Sequence, residues 1–300
     1  MTVSRLPPIE SLVTDFLQTG YVPAKDGKGR VEQALTLPLR EQLVLLIESE
    51  APANIAFVCE LLVRDDFPAP LSTSLRELLW KSRTAVRVAF ECGHLELFEG
   101  RRGLRIESYA KPALPGGLGR LAQLEALSLI YGSLEEIPEE IGLLGELTSL
   151  FANHQRLHSI SPAIGRLGKL QVLNLNDNQL TELPAAVAGL GRLQKLWLED
   201  NRFEHVPSGI WHLSSLIELY LTGNRITRIP DEIAQLSNLE ELRLGRNLIK
   251  AFSPRLAELP RLKRLSLNDE SDFRLLPKEL QARVKRHYVC EMDGYLEIDF

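Results

Sequence analysis

Residues 170–192 read LQVLNLNDNQLTELPAAVAGLGR, and this stretch decides the fold. Its pattern returns over residues 193–215 and again over residues 216–238, so that the period is 23 residues. The repeated positions of the first copy are Leu170, Leu173, Leu175, Asn178, Leu180, Leu183, Pro184, Val187 and Leu190. A fixed period of this length is the signature of a repeat architecture, in which each copy is one supersecondary unit. The sequence therefore predicts an array of stacked units.

The repeat weakens towards both ends of the chain. Two later copies keep Leu239, Leu242, Leu244, Asn247, Ile249, Phe252, Leu256, Leu259, Leu262, Leu265 and Leu267. After a slip of one residue, the last positions of the pattern are Phe273, Leu276 and Pro277. In the earlier copies Gln155 and Gly132 stand where the asparagine is expected. We therefore expect a helical N-terminal region and cap over residues 1–98, the array over residues 99–277, and a C-terminal cap over residues 278–300.

The consensus Leu-x-x-Leu-x-Leu-x-x-Asn-x-Leu-x-x-Leu-Pro-x-x-Ile-x-x-Leu is similar to that of cytosolic leucine-rich-repeat proteins of the Ras-binding scaffold type. The resemblance covers a little under two thirds of the chain. It implies an α/β fold, a leucine-rich-repeat solenoid in which a curved parallel sheet lines the concave face. It also implies a non-catalytic scaffold in signalling that binds a protein. The partner stays open, because one fold serves many unrelated functions.

The strand part of the repeat explains the asparagine. In the segment Leu173-Asn174-Leu175 the two leucines point to one face of a strand and Asn174 points to the other. The next asparagine falls where the chain leaves the strand, and its amide can pair with backbone groups that would otherwise be buried without partners. The sequence thus predicts a structural asparagine ladder formed by Asn178, Asn201, Asn224 and Asn247.

The residues between the paired leucines form a column on the other face of the predicted sheet. This column consists of Ser128, Phe151, Asn174, Trp197, Tyr220, Arg243 and Ser266. An exposed tryptophan beside tyrosine and arginine has the composition of an interface hot spot. The alternative is that the rings only pack on one another. The predicted protein-binding residues are Phe151, Asn174, Trp197, Glu199, Asp200, Glu218, Tyr220, Arg243 and Arg246.

The charges beside this column differ in sign along the array. Glu199, Asp200 and Glu218 lie in the middle copies, together with Asp177, whereas Arg243, Arg246 and Arg264 lie in later copies. A bipolar face of this kind favours a folded protein that presents basic groups to the middle copies and acidic groups to the later ones. The alternative is a face that is merely solvated.

Both ends of the chain lack the repeat. Leu39, Leu43 and Leu46, and then Ala56, Cys59 and Leu62, lie at helical spacing. Ser74 and Glu77 predict a capping box that starts a further helix running to Phe90. Gly20 to Gly29 resembles a loop without the pattern of a phosphate-binding loop. At the other end the basic segment from Lys278 to Tyr288 indicates a solvated cap, or alternatively a site for an acidic partner.

Composition excludes several classes of function. The formal net charge of -5 leaves no broad basic field, so no nucleic acid partner is expected. Three scattered cysteines indicate a reducing compartment rather than a disulfide framework. The first residues contain no apolar signal segment, and no apolar run approaches the roughly 20 residues that span a bilayer. We therefore expect a cytoplasmic protein without a membrane partner.

No catalytic or metal-binding motif emerges. Cys290 is followed by too few residues to belong to a catalytic domain, and His154 and His158 have no third ligand nearby in sequence. The glycines from Gly116 to Gly119 are typical of a turn in the repeat rather than of a dinucleotide loop. We expect no enzyme activity, cofactor or small-molecule substrate. The alternative is a bacterial effector or signalling regulator whose helical N-terminal region carries the activity while the repeats select the target.

Overall fold

The structure is a computed structural model that describes residues 9–19, 38–64, 67–289 and 296–300. The chain divides into two compact units. The helical unit comprises Met1–Glu99 with Pro115–Arg120, and the repeat unit comprises Gly100–Leu114 with Leu121–Phe300.

The described part of the helical unit is built from short α-helices. They are α1 (Ile9–Thr19), α2 (Leu39–Glu48), α3 (Pro52–Leu62), α4 (Ala69–Leu79) and α5 (Arg83–Glu91), followed by a 3-10 helix at Leu95–Phe98. Leu43, Leu46, Cys59 and Leu62 are buried, as the helical spacing predicts. Phe16 of α1 stacks on Phe57 of α3 with 4.0 Å between ring centroids. These apolar faces give the helical unit a core of its own.

The capping box predicted at Ser74 and Glu77 is wrong. Ser74 lies inside α4, which begins earlier because Pro68 and Pro70 favour a helix start at this point. The helix cap lies instead at Ser82, whose hydroxyl accepts a hydrogen bond from the backbone N–H of Ala85 at the start of α5. The single helix expected from Ser74 to Phe90 is therefore two helices.

The repeat unit contains fourteen strands in its described part. They are β1 (Gly103–Glu107), β2 (Ala126–Ile130), β3 (Glu136–Ile137), β4 (Ser149–Phe151), β5 (Ser159–Ile160), β6 (Val172–Asn174), β7 (Lys195–Trp197), β8 (Glu218–Tyr220), β9 (Arg228–Ile229), β10 (Glu241–Arg243), β11 (Ala251–Phe252), β12 (Arg264–Leu267), β13 (Arg286–Val289) and β14 (Leu296–Asp299). Ten of them form one sheet in the order β1-β2-β4-β6-β7-β8-β10-β12-β14-β13. The first eight are parallel.

The register of these eight strands follows the sequence period. Leu173 pairs with Leu150 on one side and with Leu196 on the other, and each neighbour is 23 residues away. These leucines are at most 1% exposed and form the apolar core beneath the sheet. The predicted repeat solenoid with a parallel sheet and a helical N-terminal region is confirmed.

Each of the first seven parallel strands is followed by a return segment that contains a 3-10 helix. These helices are Leu118–Leu121, of which residues 118–120 belong to the helical unit, and Glu139–Leu143, Pro162–Arg166, Ala185–Gly189, Ser208–His212, Asp231–Gln235 and Pro254–Glu258 in the repeat unit. Their packing is tight where glycine occurs, since a Cβ on Gly165 would lie 2.2 Å from the carbonyl oxygen of Ala186. Just before some of them, short parallel pairs join β3 to β5 and β9 to β11.

The array ends differently from the expected slipped copy. After β12 the chain forms α6 (Glu270–Leu275) and α7 (Lys278–Gln281) in place of a 3-10 return. The carboxylate of Asp269 caps α6 by accepting hydrogen bonds from the backbone N–H groups of Ser271 and Asp272. Strand β14 then pairs with β12 in antiparallel fashion and buries Leu296 and Ile298. The last leucine layer is thereby covered, as the ends of a repeat array require.

The basic side chains near the C-terminus bond to the chain itself. Arg283 donates to the carbonyl oxygens of Ala257 and Leu259 at 2.9 and 3.2 Å. Lys285 donates to the backbone oxygen of Phe300 at 3.1 Å. These contacts support the interpretation of this segment as a cap.

The longest described helices have 11 residues, and none of those in the described ranges is long and apolar enough to cross a membrane.

Candidate protein-binding surface

The side chains that point away from the core along the eight parallel strands form a surface that we call the strand face. Its centre is a row of rings. Trp197 and Tyr220 stack with 5.7 Å between their centroids and 10° between their planes. The guanidinium carbon of Arg243 lies 4.2 Å from the centroid of the Tyr220 ring, and Phe151 lies 6.5 Å from Trp197 at a 60° tilt. We call Phe151, Trp197, Tyr220 and Arg243 the aromatic row.

Asn174 lies between Phe151 and Trp197 in the strand register. Its side chain is 9% exposed, and its amide oxygen accepts a hydrogen bond from the backbone N–H of Asn176 at 3.0 Å. Because this short side chain folds back onto the backbone, Phe151 and Trp197 approach each other across it. Asn174 therefore lies buried beneath the aromatic row and is not an exposed residue of the surface.

Two neighbours fix the orientation of Trp197. Its indole Nε1 donates to one carboxylate oxygen of Glu218 at 3.2 Å, and Lys195 donates to the other at 2.7 Å. Burial alone would raise the pKa of Glu218, but the hydrogen bond and charge of Lys195 outweigh it, and the pKa is lowered. Glu218 stays charged and holds the indole in place.

The charges of the strand face are largely paired within it. Arg246 donates to both carboxylate oxygens of Asp200 at 2.6 and 2.8 Å. Arg243 donates to the buried carboxylate of Glu241 at 2.8 Å, and Arg264 binds the same carboxylate. Asp200 and Arg246, which the sequence places in separate acidic and basic regions, therefore pair across two copies, and Glu241 pairs with both Arg243 and Arg264.

Tyr131, His154 and Asp177 extend the surface, although none of them is among the predicted protein-binding residues. Tyr131 is 60% exposed and stacks on His154, with 4.5 Å between centroids. His154 Nδ1 lies 3.3 Å from Asp177 Oδ2. Burial raises the pKa of Asp177, and the neighbouring histidine partly offsets this effect. These residues are 23 apart and all have positive φ, so the repeat period itself was the signal that could have grouped them.

Glu199 lies two residues after Trp197 and is half-buried. The Asn176 amide donates to Glu199 Oε2 at 2.9 Å, and its oxygen accepts from the backbone N–H of Glu199 at 2.8 Å. Burial raises the pKa of Glu199 more than the charge of Arg243 and the hydrogen bonds from Thr222 and Asn176 lower it. Its carboxylate is thus held rigidly in an environment that disfavours its charge.

The asparagines at the strand exits bond to backbone in a repeated way. Asn178, Asn201, Asn224 and Asn247 each accept from the N–H of a residue one copy earlier and donate to carbonyl oxygens of two copies. Gln155 at the same position accepts from the Leu134 N–H at 3.0 Å, but its amide nitrogen has no partner. Gly132 leaves space for the longer glutamine, because a Cβ there would lie 2.5 Å from its oxygen.

The described part of the chain contains no group of three or more histidine, cysteine or acidic side chains that could hold a metal ion. His154 is engaged by Tyr131 and Asp177, and His158 is exposed. Gly116 and Gly117 lie in the turn before the 3-10 helix at Leu118–Leu121. Cys290 and the segment from Gly20 to Gly29 lie outside the described residues.

The sequence of residues 154–284 matches the family described as leucine-rich repeat region. Among solved structures, a leucine-rich-repeat protein of Leptospira interrogans is 31% identical with a TM-score of 0.55, and the match covers 57% of this chain and 43% of that one. The PEPR1–AtPEP1 structure is 26% identical with a TM-score of 0.50, covering 57% of this chain and 24% of that one. The chain thus spans less than half of either protein chain. A search of curated proteins found no match.

The sequence match, the 23-residue register and the structural similarity agree on the nature of the array. The strands and return segments of the repeat unit form a leucine-rich-repeat solenoid.

Proposed function

We propose that the chain is a non-catalytic scaffold that binds a protein partner on the strand face, which the sequence predicts to be concave. The aromatic row carries this proposal. Tryptophan, tyrosine and arginine dominate the energetics of protein interfaces, because they combine a large apolar area with polar groups that give direction. Here they stack on one another in the middle of a face whose charges are largely paired.

The repeat does not require aromatic residues at these positions. The equivalent residues of other copies are Ser128, Asn174 and Ser266, and they complete the same strand register without a ring. Packing of the rings on one another therefore accounts for their geometry and leaves their presence unexplained. A binding role of the strand face explains why the rings are present.

The comparisons support the general role. Repeat arrays present extended surfaces that suit protein recognition, and both the family match and the Leptospira structure belong to this class. The likeness of the consensus to Ras-binding scaffolds, the cytoplasmic location and the signalling role are parts of the proposal. So is the expectation that nucleic acid, membrane and small-molecule substrates are not ligands.

The proposal is tested with a double variant, Trp197→Ala with Tyr220→Ala. Proteins captured from a native lysate by the wild-type chain are quantified against those captured by the variant. Leu143→Ala is the matched control, because Leu143 is a 52% exposed apolar residue on a return segment. A partner lost with the double variant and kept with the control supports the strand face. Equal capture by all three proteins contradicts it, provided that thermal unfolding shows each to be folded.

A second candidate function rests on the helical unit. Its helices enclose their own core, so it could carry an activity while the repeats select the target, as in an effector or signalling regulator. A chain lacking residues 1–99 tests this alternative. If the truncated chain is folded, keeps the partner and loses the cellular effect of the whole chain, the helical unit carries the activity. If the effect persists, it does not.

A further inference from the structure

Glu199 differs from the acidic residues around it in forming no close ion pair, although the charge of Arg243 acts on it from a greater distance. Asp200 is paired with Arg246, and Glu218 is paired with Lys195. Among the described residues no lysine, arginine or histidine lies within ion-pair distance of the Glu199 carboxylate.

The position of Glu199 relative to Trp197 follows from the extended chain that continues past β7, where the Leu198 and Asp200 N–H groups bond to the next copy. Residues two apart point to the same face and are separated by roughly 7 Å along a strand. The Glu199 carboxylate and the Trp197 ring therefore belong to one patch of the strand face. Since Asn176 holds the carboxylate at 2.9 Å, the patch is formed before any ligand arrives.

An incompletely compensated, half-buried carboxylate beside an aromatic ring is suited to a cation. A lysine or arginine side chain would supply the missing charge, and its ammonium or guanidinium group would also be attracted by the indole ring. An acidic group is not favoured in the same way at Arg243, because Glu241 already binds this guanidinium. The charged group that remains available to a ligand is thus a carboxylate and not a guanidinium.

We propose that Glu199 receives a lysine or arginine side chain from the partner, in a docking segment whose apolar residues contact the aromatic row. This inference rests on the binding function proposed above. It identifies Glu199 as the residue that binds the basic side chain of the partner. Of the four acids that the sequence marks for a basic ligand, Asp200 and Glu218 pair with cations of the strand face and Asp177 lies beside His154, so that Glu199 is the one assigned to the partner.

The test uses a displayed library of random peptides selected on the immobilised full-length chain. Clones that also bind the variant with Trp197→Ala and Tyr220→Ala are removed. The remaining peptides are synthesised, and their affinities are measured with wild type, with Glu199→Gln and with Glu204→Gln. Glu204 is an exposed residue of a return segment, so its substitution changes the net charge equally without touching the strand face.

We expect the peptides to be enriched in lysine or arginine and to bind Glu199→Gln roughly tenfold more weakly, with Glu204→Gln unchanged. Replacing the basic residue of the peptide with glutamine should weaken binding to wild type and not weaken binding to Glu199→Gln further. Peptides without basic residues, an unaltered affinity for Glu199→Gln, or an equal loss with Glu204→Gln would overturn the inference and leave the binding face intact. If every peptide also binds the Trp197 and Tyr220 double variant, the proposed function itself fails.

Discussion

Replacing Asn201 with alanine tests how the array is held together. The amide oxygen of Asn201 accepts from the backbone N–H of Leu180 at 3.0 Å. Its amide nitrogen donates to the carbonyl oxygens of Leu175 at 2.9 Å and of Leu198 at 3.2 Å. Asn201 is 7% exposed, so water does not readily replace these bonds. The substitution therefore leaves the Leu180 N–H buried without a partner, whereas the Leu175 and Leu198 oxygens lose one side-chain donor each and keep the amides of Asn178 and Asn224.

The magnitude follows from the hydrogen bonds that are lost. A buried polar group that loses its hydrogen bond costs about 1–3 kcal/mol. The Leu180 N–H has the full cost, whereas each carbonyl oxygen has a smaller one because a second amide still donates to it. We expect Asn201→Ala to lower the free energy of unfolding by about 2–4 kcal/mol.

Two substitutions in the same array calibrate the result. Gln155→Ala removes one satisfied backbone N–H bond, because the Gln155 amide nitrogen has no partner, so its expected cost is about 1–3 kcal/mol. Asn238→Ala removes an exposed hydrogen bond to the Ser214 carbonyl oxygen and should cost under about 1 kcal/mol. The expected order of destabilisation is Asn201, then Gln155, then Asn238.

Urea unfolding followed by circular dichroism measures this order. The comparison uses transition midpoints among variants with equal m-values, because a changed m-value would indicate that the array no longer unfolds as one unit. A loss below about 1 kcal/mol for Asn201→Ala would refute the account, since the burial penalty would then be absent. A larger loss for Gln155→Ala than for Asn201→Ala would refute it as well.

Three further predictions use the same array and the helical unit. Gly223 has a φ of 71°, and a Cβ there would lie 2.2 Å from Asp200 Oδ1. Gly223→Ala should therefore lower the free energy of unfolding by about 1–2 kcal/mol, partly because the Asp200 side chain is displaced from its ion pair with Arg246. Added salt should reduce the difference in stability from wild type. Because the pKa of Glu199 is raised above its ordinary value of 4.5, wild type should lose stability relative to Glu199→Gln as the pH rises through the raised pKa. Thermal unfolding of both proteins from about pH 4 to about pH 7 would contradict this if the midpoint of wild type did not fall relative to that of Glu199→Gln. Burial raises the pKa of the Cys59 thiol to about 12, so peptide mapping after alkylation should find Cys59 unmodified in the native chain and modified in urea.

Much of the fold could be predicted from the sequence because each copy repeats the same pattern of buried and exposed residues. Alternation around Leu173 predicts the strand, and the 23-residue period predicts which residue of the next copy is its neighbour. The aromatic row follows from the same rule, since Trp197 and Tyr220 are one period apart. Their stacking could not be predicted, because it depends on the Glu218 carboxylate that orients the indole.

The charge pattern was harder to interpret from sequence. Asp200 and Arg246 are two periods apart, and they meet because Gly223 between them has no side chain. Lys195 and Glu218 are one period apart, so their pairing was accessible from the register. Counting charges along the chain predicts separated acidic and basic regions, whereas pairing across strands gives a face that is largely neutral.

The helical unit lacks such a period, and there local motifs compete. The spacing of Ser74 and Glu77 fits a capping box, but the same spacing also occurs inside helices. Pro68 and Pro70 determine the start of α4 instead, since proline is well tolerated in the first turn of a helix. A correct boundary here required weighing two motifs that favour different starting points.

The two-residue strand pairs of the described return segments form only where the residue after the second strand has a backbone N–H. The pair β3 and β5 is continued by a hydrogen bond from the Ser161 N–H to the Ile137 oxygen, and the pair β9 and β11 by one from the Ser253 N–H to the Ile229 oxygen. The equivalent residues of the three copies between them are Pro184, Pro207 and Pro230, which have no N–H. No strand pair forms there among the described return segments. The open groove of about 640 Å³ between residues 181–183 and 204–208 lies at one of these interruptions.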